Sequence, residues 1–156
     1  MTKELKDWIV PWLYTSREYN VGILDQAMEN PNNARLMLNE NPIPPSEKVI
    51  QAVAESLRSG NWYPDSFLRL RTKIGNMYGL GPDNVALCNG SSETIDAMMR
   101  VFLQPGDEFM LSTPTFELFP PRAELCNAKV VQIPVREGDL QYDVDTMLDA
   151  INDRTK

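Results

Sequence analysis

Residues 84–102, Asn84-Val85-Ala86-Leu87-Cys88-Asn89-Gly90-Ser91-Ser92-Glu93 and on to Phe102, constrain this chain more than any other stretch. Val85 to Cys88 is a short apolar run of the length of a buried strand. It breaks at Asn89-Gly90, and helical spacing begins at once: Ile95, Met98, Met99 and Phe102 recur at i, i+3, i+4 and i+7. A strand that turns through Gly-Ser-Ser into a helix aims unsatisfied backbone N–H groups outward, where the helix dipole favours negative charge. Such a junction is an anion seat suited to phosphate. Gly90 permits close backbone approach, and Ser91 and Ser92 add hydroxyl donors. The same residues also fit a serine-capped helix that holds no ligand.

Upstream, Leu5, Trp8, Ile9, Trp12 and Leu13 make one helical face, with Pro11 expected to bend or end the helix. The face is too apolar for water, so it packs either on this chain's own core or on a partner subunit. Asn30-Pro31-Asn32-Asn33 reads as a turn and Ala34–Leu38 as a short strand. In Asn39-Glu40-Asn41-Pro42-Ile43-Pro44-Pro45 the prolines remove backbone donors and restrict their predecessors, which excludes regular structure. Ser46 is expected to cap a helix that carries Val49, Ile50, Val53 and Leu57 inward and stops at Gly60. Asn61-Trp62-Tyr63-Pro64 is a second loop. Asp65 then caps a helix with Phe67, Leu70, Ile74, Met77 and Tyr78 on its face, ended by Gly79 and Gly81-Pro82.

Downstream, Gln104-Pro105-Gly106-Asp107 is a tight turn into a strand at Glu108–Leu111. Ser112–Phe116 is another strand-to-helix junction, and Pro120 and Pro121 make the next helix restart with a proline at its first position. Lys129–Val135 reads as a strand, and Asp143 caps a helix with Val144, Met147, Leu148 and Ile151 inward. Strands alternating with helices, without repeats, indicate an α/β fold with a largely parallel sheet. Three strands, at 85–88, 108–111 and 129–135, form an unusually small sheet with edges left to cover. The domain is expected to be incomplete at Lys156, where the pattern calls for another strand.

Composition narrows the function. The net charge is −7 with no basic cluster, which argues against a nucleic-acid surface. There are no histidines, which removes Ser-His and Cys-His nucleophiles and histidine metal ligands, so no metal site is expected. Cys88 and Cys126 lie in apolar contexts without Cys-x-x-Cys spacing and read as reduced core thiols. No apolar run approaches the ~18 residues of a membrane span, and the N-terminus lacks a signal-peptide core, so the cytoplasm is expected.

Six pieces, in order, resemble the N-terminal portion of histidinol-phosphate aminotransferases, pyridoxal-phosphate enzymes of the fold type I (aspartate aminotransferase) superfamily. They are Tyr14-Thr15-Ser16-Arg17, Leu38-Asn39-Glu40-Asn41-Pro42, Trp62-Tyr63-Pro64, Asn89-Gly90-Ser91-Ser92-Glu93, Arg100-Val101-Phe102-Leu103-Gln104-Pro105-Gly106-Asp107-Glu108 and Pro114-Thr115-Phe116. The resemblance implies an N-terminal, dimer-contacting arm over 1–33 and a strand and helices over 34–84. Residues 85–156 become the first half of the pyridoxal-phosphate-binding large domain, a mostly parallel sheet with helices on both faces, truncated.

Position by position, Gly90-Ser91-Ser92 resembles the cradle for the 5′-phosphate of pyridoxal phosphate, with Ser92 where the family usually has aspartate. Phe116 matches the aromatic that stacks on the pyridine ring, usually a tyrosine; stacking needs only the π face. Tyr63 matches a tyrosine that reaches the neighbouring subunit's cofactor phosphate, and Tyr14 one that reaches the neighbour's substrate. The implied partner is a second copy, in a homodimer, with the Trp8 and Trp12 arm as an intersubunit clasp. Asn41 falls near the substrate end of the cleft, although an asparagine before proline is also a turn former.

The resemblance further implies that the Schiff-base lysine, the aspartate for the pyridinium nitrogen and the carboxylate-binding arginines lie downstream, so no catalytic residue is expected in this chain. Lys3, Lys6, Lys48, Lys73, Lys129 and Lys156 all read as solvated. The implied function is transamination between histidinol phosphate and 2-oxoglutarate in histidine biosynthesis, with this chain inactive alone. Two other readings stay open: a threonine-phosphate decarboxylase-like member of the superfamily, and a non-catalytic phosphate-binding fragment acting through a partner.

Overall fold

The computed structural model describes residues 3–15 and 22–156. The chain divides into two compact units, Met1–Asn20 with Cys88–Lys156, and Val21–Leu87.

In the first unit, β1 (Glu108–Thr113) and β2 (Lys129–Pro134) pair in parallel, with Glu108 opposite Lys129 and Thr113 opposite Pro134. Parallel neighbours need a crossover. Here it is α5 (Phe119–Leu125), whose first turn takes Pro120 and Pro121, where a missing N–H forfeits no helical bond. The turn before β1 forms as the residues dictate: Asp107 N–H donates to Gln104 O at 3.1 Å and Gly106 has φ +92°. β1 runs two residues past its expected end because Ser112 hides its hydroxyl by donating to Ile133 O at 3.1 Å. On the other side of β1, Glu108 N–H donates to Arg154 O at 2.8 Å and Lys156 N–H donates to Glu108 O at 3.0 Å, a parallel bridge to Thr155. α6 (Val144–Ala150) precedes that tail, and Asp143 caps it as expected, accepting from Thr146 N at 3.1 Å.

The core of this unit lies where α4 (Gly90–Phe102) meets α5 and the strands. Met99, Leu103, Ala123 and Ala128 are buried there, ringed by Ile95, Phe109, Phe119, Cys126 and Val130. Ala123 is 0% exposed, so α5 approaches its neighbours as closely as a methyl group allows.

Several expectations fail in instructive ways. The arm is not one helix but two 3₁₀ turns, Leu5–Trp8 and Pro11–Thr15, with Ile9 extended between them at φ −94°, ψ 138°. Proline disfavours helical geometry in the residue before it, so the chain breaks ahead of Pro11. Val85–Cys88 is not a strand. Val85 has extended dihedrals of φ −119°, ψ 114°, yet the stretch joins no ladder, and Val85 O instead accepts from Arg71 Nε at 3.1 Å. Strand dihedrals become a strand only where a neighbour completes the hydrogen bonds. Cys88 is exposed and only Cys126 is partly buried, so the pair are not two core thiols. Val144 and Leu148 of α6, and Ile151 just past its end, are exposed rather than inward.

The second unit holds α1 (Gly22–Glu29), α2 (Glu47–Ser56) with a 3₁₀ turn at Leu57–Ser59, and α3 (Leu68–Met77). Ser46 stands at the N-cap of α2 but its side chain makes no capping bond. Val49, Ile50, Val53 and Leu57 are exposed. Periodicity tells which residues share a face, not what lies opposite it. Ala34–Leu38 is not a strand: Leu38 and Asn39 have φ of 59° and 52°, and Arg35 closes the turn with two hydrogen bonds to Glu40 at 2.7 and 2.6 Å. Asp65 is not the N-cap of α3. It accepts from Phe67 N at 2.8 Å, and Phe67 itself caps with φ 54°.

α3 ends in a Schellman motif. Leu80 N–H donates to Gly75 O at 2.8 Å and Gly79 N–H to Asn76 O at 3.4 Å, with Gly79 at φ +68°. Gly75 is buried against this reversal. Among the described residues no helix is long and apolar enough to cross a membrane.

Candidate anion-binding site

α4 begins in a left-handed residue. Gly90 has φ +75°, and a Cβ added there would meet nothing within 4 Å. Glycine is therefore demanded by conformation rather than by space. Its N–H donates to Cys88 O at 2.9 Å. The N-cap, Asn89, gives both its N–H and its Nδ2 to the Glu93 carboxylate, the latter at 3.0 Å. Thr94 Oγ1 donates back to Gly90 O at 3.2 Å and braces the first turn.

An α-helix leaves its first four amides without helical partners. The turn uses that of Gly90 and sets the amides and hydroxyls of Ser91 and Ser92 at the exposed head of a 13-residue helix. The helix dipole adds its positive end there. Glu93 contributes a countercharge to the same end, so directed hydrogen bonds rather than net charge must hold an anion. That donor set fits a phosphate group. Further along α4, Asp96 accepts from Arg100 Nε at 2.7 Å and lies 3.6 Å from Arg122 of α5. The hydrogen bond from Arg100 holds the Asp96 carboxyl below its ordinary value, although partial burial pushes the other way.

Phe116 lies in the loop between β1 and α5, past the carboxyl end of a parallel strand, where ligands bind in open α/β sheets. Phe116 is 42% exposed. It meets Phe119 edge to face, with centroids 5.9 Å apart at 86°. Phe119 in turn stacks on Phe109 at 6.1 Å and 30°.

Tyr14 is the fourth residue of the second 3₁₀ turn and is exposed. Two residues earlier, Trp12 Nε1 donates to Leu125 O at 3.0 Å, which docks the arm on α5 of its own chain. Trp12 thus has a partner within its own chain. Trp8 remains exposed, with the Lys3 ammonium 4.4 Å from its ring centre. Ser16 and Arg17 of the same motif lie outside the described residues. Tyr63 and Asn41 belong to the other unit. Tyr63 is 100% exposed. Asn41 Oδ1 accepts from Ile43 N at 3.0 Å, the hydrogen bond of a turn former.

The structure thus gathers Gly90, Ser91 and Ser92 at one helix head and keeps Phe116 and Tyr14 in the same unit. Three contributors were given no role from the sequence, although Asn89 and Glu93 stand in the quoted motif. Asn89 and Glu93 were legible as an acidic residue in the first turn of a helix that begins at an asparagine. Phe119 was not, because its role depends on how the loop after β1 folds. Cys126 is no candidate nucleophile: burial raises its thiol pKa, which disfavours the thiolate.

A family model described as aminotransferase class I and II matches residues 32–156. The chain belongs to that family. Among aminotransferases, it is 36% identical over 126 residues to histidinol-phosphate aminotransferase 2 of Carboxydothermus hydrogenoformans, covering 80% of this chain and 34% of the relative. The chain therefore spans about a third of the length of the curated relative it matches. Its fold is similar to that of aspartate aminotransferase from Thermotoga maritima, with a TM-score of 0.79 at 20% identity over 95% of this chain and 44% of the other. Histidinol-phosphate aminotransferase from Sinorhizobium meliloti, solved in complex with pyridoxal-5′-phosphate, gives 0.71 at 18% identity over 83% and 35%. The α/β elements described above are thus part of an aspartate-aminotransferase-like fold.

Proposed function

We propose that this chain supplies the N-terminal, phosphate-gripping part of a pyridoxal-phosphate-dependent aminotransferase. The complete enzyme would be a cytoplasmic homodimer moving an amino group between histidinol phosphate and 2-oxoglutarate. One observation carries the reading: the Gly90-Ser91-Ser92 turn stands exposed at the head of α4 in a chain whose residues 32–156 match the family. The histidinol-phosphate aminotransferase of Carboxydothermus supports the substrate, and the pyridoxal-5′-phosphate held by the Sinorhizobium enzyme supports the cofactor.

Ser91 and Ser92 donate to the 5′-phosphate through amide and hydroxyl, and the ring of Phe116 covers one side of the ligand ring. Tyr63 extends a hydroxyl to the phosphate bound by a second copy, Tyr14 extends one to that copy's substrate, and Asn41 contributes to substrate binding. When bound, the cofactor supplies the electron sink for amino transfer. All six lysines of the chain are exposed. The chain holds the ligand through phosphate and stacking contacts.

Titration of the purified chain with pyridoxal phosphate and with pyridoxal, followed by tryptophan fluorescence, tests the reading. The phosphate form binds more tightly, and the double change Ser91→Ala with Ser92→Ala narrows that preference by removing the two hydroxyl donors while leaving pyridoxal binding unchanged. Equal binding of the two ligands by the unsubstituted chain would overturn the assignment.

A further inference from the structure

We propose that Phe119 is a positioning residue for the ring of Phe116, fixing the plane against which a flat heteroaromatic ligand stacks. The proposal rests on the reading of Phe116 as the cofactor-facing aromatic. Phe116 sits in a loop and is nearly half exposed, so its orientation must come from what it leans on. The edge-to-face contact with Phe119, at 5.9 Å and 86°, is a favoured aromatic geometry. The two residues are also joined through the backbone, Phe119 N–H donating to Phe116 O at 3.3 Å.

Phe119 is itself anchored. It stacks on Phe109, the second residue of β1, whose register partner is Val130 of β2. Both Phe109 and Phe119 pack against the buried cluster of Met99, Leu103, Ala123 and Ala128. Three rings thus run from the sheet to the exposed face, and the middle one bears on the ring that would meet ligand. Phe119 faces Phe116 and the core, so its contribution acts through another side chain.

Two substitutions separate positioning from bulk. Phe119→Leu keeps apolar volume but removes the ring, and Phe119→Tyr keeps the ring. In the ligand-free chain, Phe119→Leu shifts the Phe116 ring-proton resonances toward those of an unpacked phenylalanine, and Phe119→Tyr preserves them. In titrations, Phe119→Leu weakens pyridoxal phosphate and pyridoxal by the same factor, about two- to twelve-fold for loss of one aromatic pair. Its affinity for inorganic phosphate stays at the parent level, showing an intact α4 head, and Phe119→Tyr restores ligand affinity.

Unchanged Phe116 resonances in Phe119→Leu would overturn the proposal. So would unchanged affinity for both pyridoxal ligands, or a parallel loss of phosphate affinity, which would mark Phe119 as merely structural. Failure of the unsubstituted chain to bind pyridoxal phosphate would overturn the cofactor reading, and with it the ligand half of this proposal. The Phe116 resonances would still decide whether Phe119 holds the ring.

Discussion

Replacing Gly90 should cost α4 stability and phosphate affinity out of a single strain energy. Gly90 sits at φ +75° with open space around its missing Cβ, so crowding plays no part. An L-residue in left-handed geometry costs roughly 1–2 kcal/mol. If Gly90→Ala holds the turn in the free chain, that strain appears as lost stability, about 2–8 °C in Tm for a domain of this size. If the free chain relaxes, the Gly90 N–H leaves Cys88 O, the Ser91 and Ser92 amides swing away, and the ligand must rebuild the turn. The same strain then appears as an affinity loss of roughly 5–30-fold.

The two losses therefore sum to one quantity, whichever way the turn gives. Asparagine tolerates the left-handed region better than alanine, and a β-branched valine tolerates it worse. Melting by circular dichroism and pyridoxal-phosphate titration of the Asn, Ala and Val variants should both rank Gly, Asn, Ala, Val. Pyridoxal binding should stay flat across the series. A Gly90→Val chain with parental melting and parental pyridoxal-phosphate affinity would refute the argument.

Gly75→Ala should destabilise the Val21–Leu87 unit although alanine is the better helix former by about 1 kcal/mol. Its Cβ would lie 2.6 Å from Leu80 O, a backbone atom that can move only by opening the Schellman turn. A net loss of about 1–2 kcal/mol in thermal unfolding, with faster amide exchange at Leu80, is the expected result. Glu108 is 2% exposed and bonded to Asn152 Nδ2 at 2.7 Å, Arg154 Nη2 at 2.9 Å and Lys129 Nζ at 3.1 Å. Hydrogen bonds from Asn152 and then Lys129 hold its carboxyl below the ordinary value. A depressed folded-state pKa adds stability that is present above the unfolded value and lost as pH falls through the folded one. Glu108→Gln should therefore melt lower at neutral pH, show a flatter acid limb in Tm against pH, and expose the Lys156 amide to exchange. An unchanged acid limb would show that Glu108 does not drive it.

What could be read in advance depended on how local the signal is. α4, the Gln104–Asp107 turn and the Asp143 cap each follow from a few adjacent residues, and each formed, while α5 keeps both prolines in its first turn but starts one residue earlier, at Phe119. β1 and β2 were readable because short apolar runs there do find each other. Val85–Cys88 carries the same kind of run and finds Arg71 instead of a strand, a contact across 14 residues that no periodicity encodes. At Ala34–Leu38, strand propensity yields to two consecutive left-handed residues and the Arg35–Glu40 pair. The phosphate turn was legible because it is a contiguous motif. The brace on Phe116 was not, since it is assembled from β1 and α5.

β1 has a final consequence. The tail bridges it only at Glu108, so on the side away from β2 the residues Phe109–Thr113 have no ladder partner among the described residues. An open edge of that kind is a template for another strand. The Glu108–Thr155 bridge already supplies its first tooth, in parallel orientation and in a fixed register. Because a slip of one residue would exchange inner and outer faces, a strand zipping up from that tooth would have its alignment decided before its second bond formed.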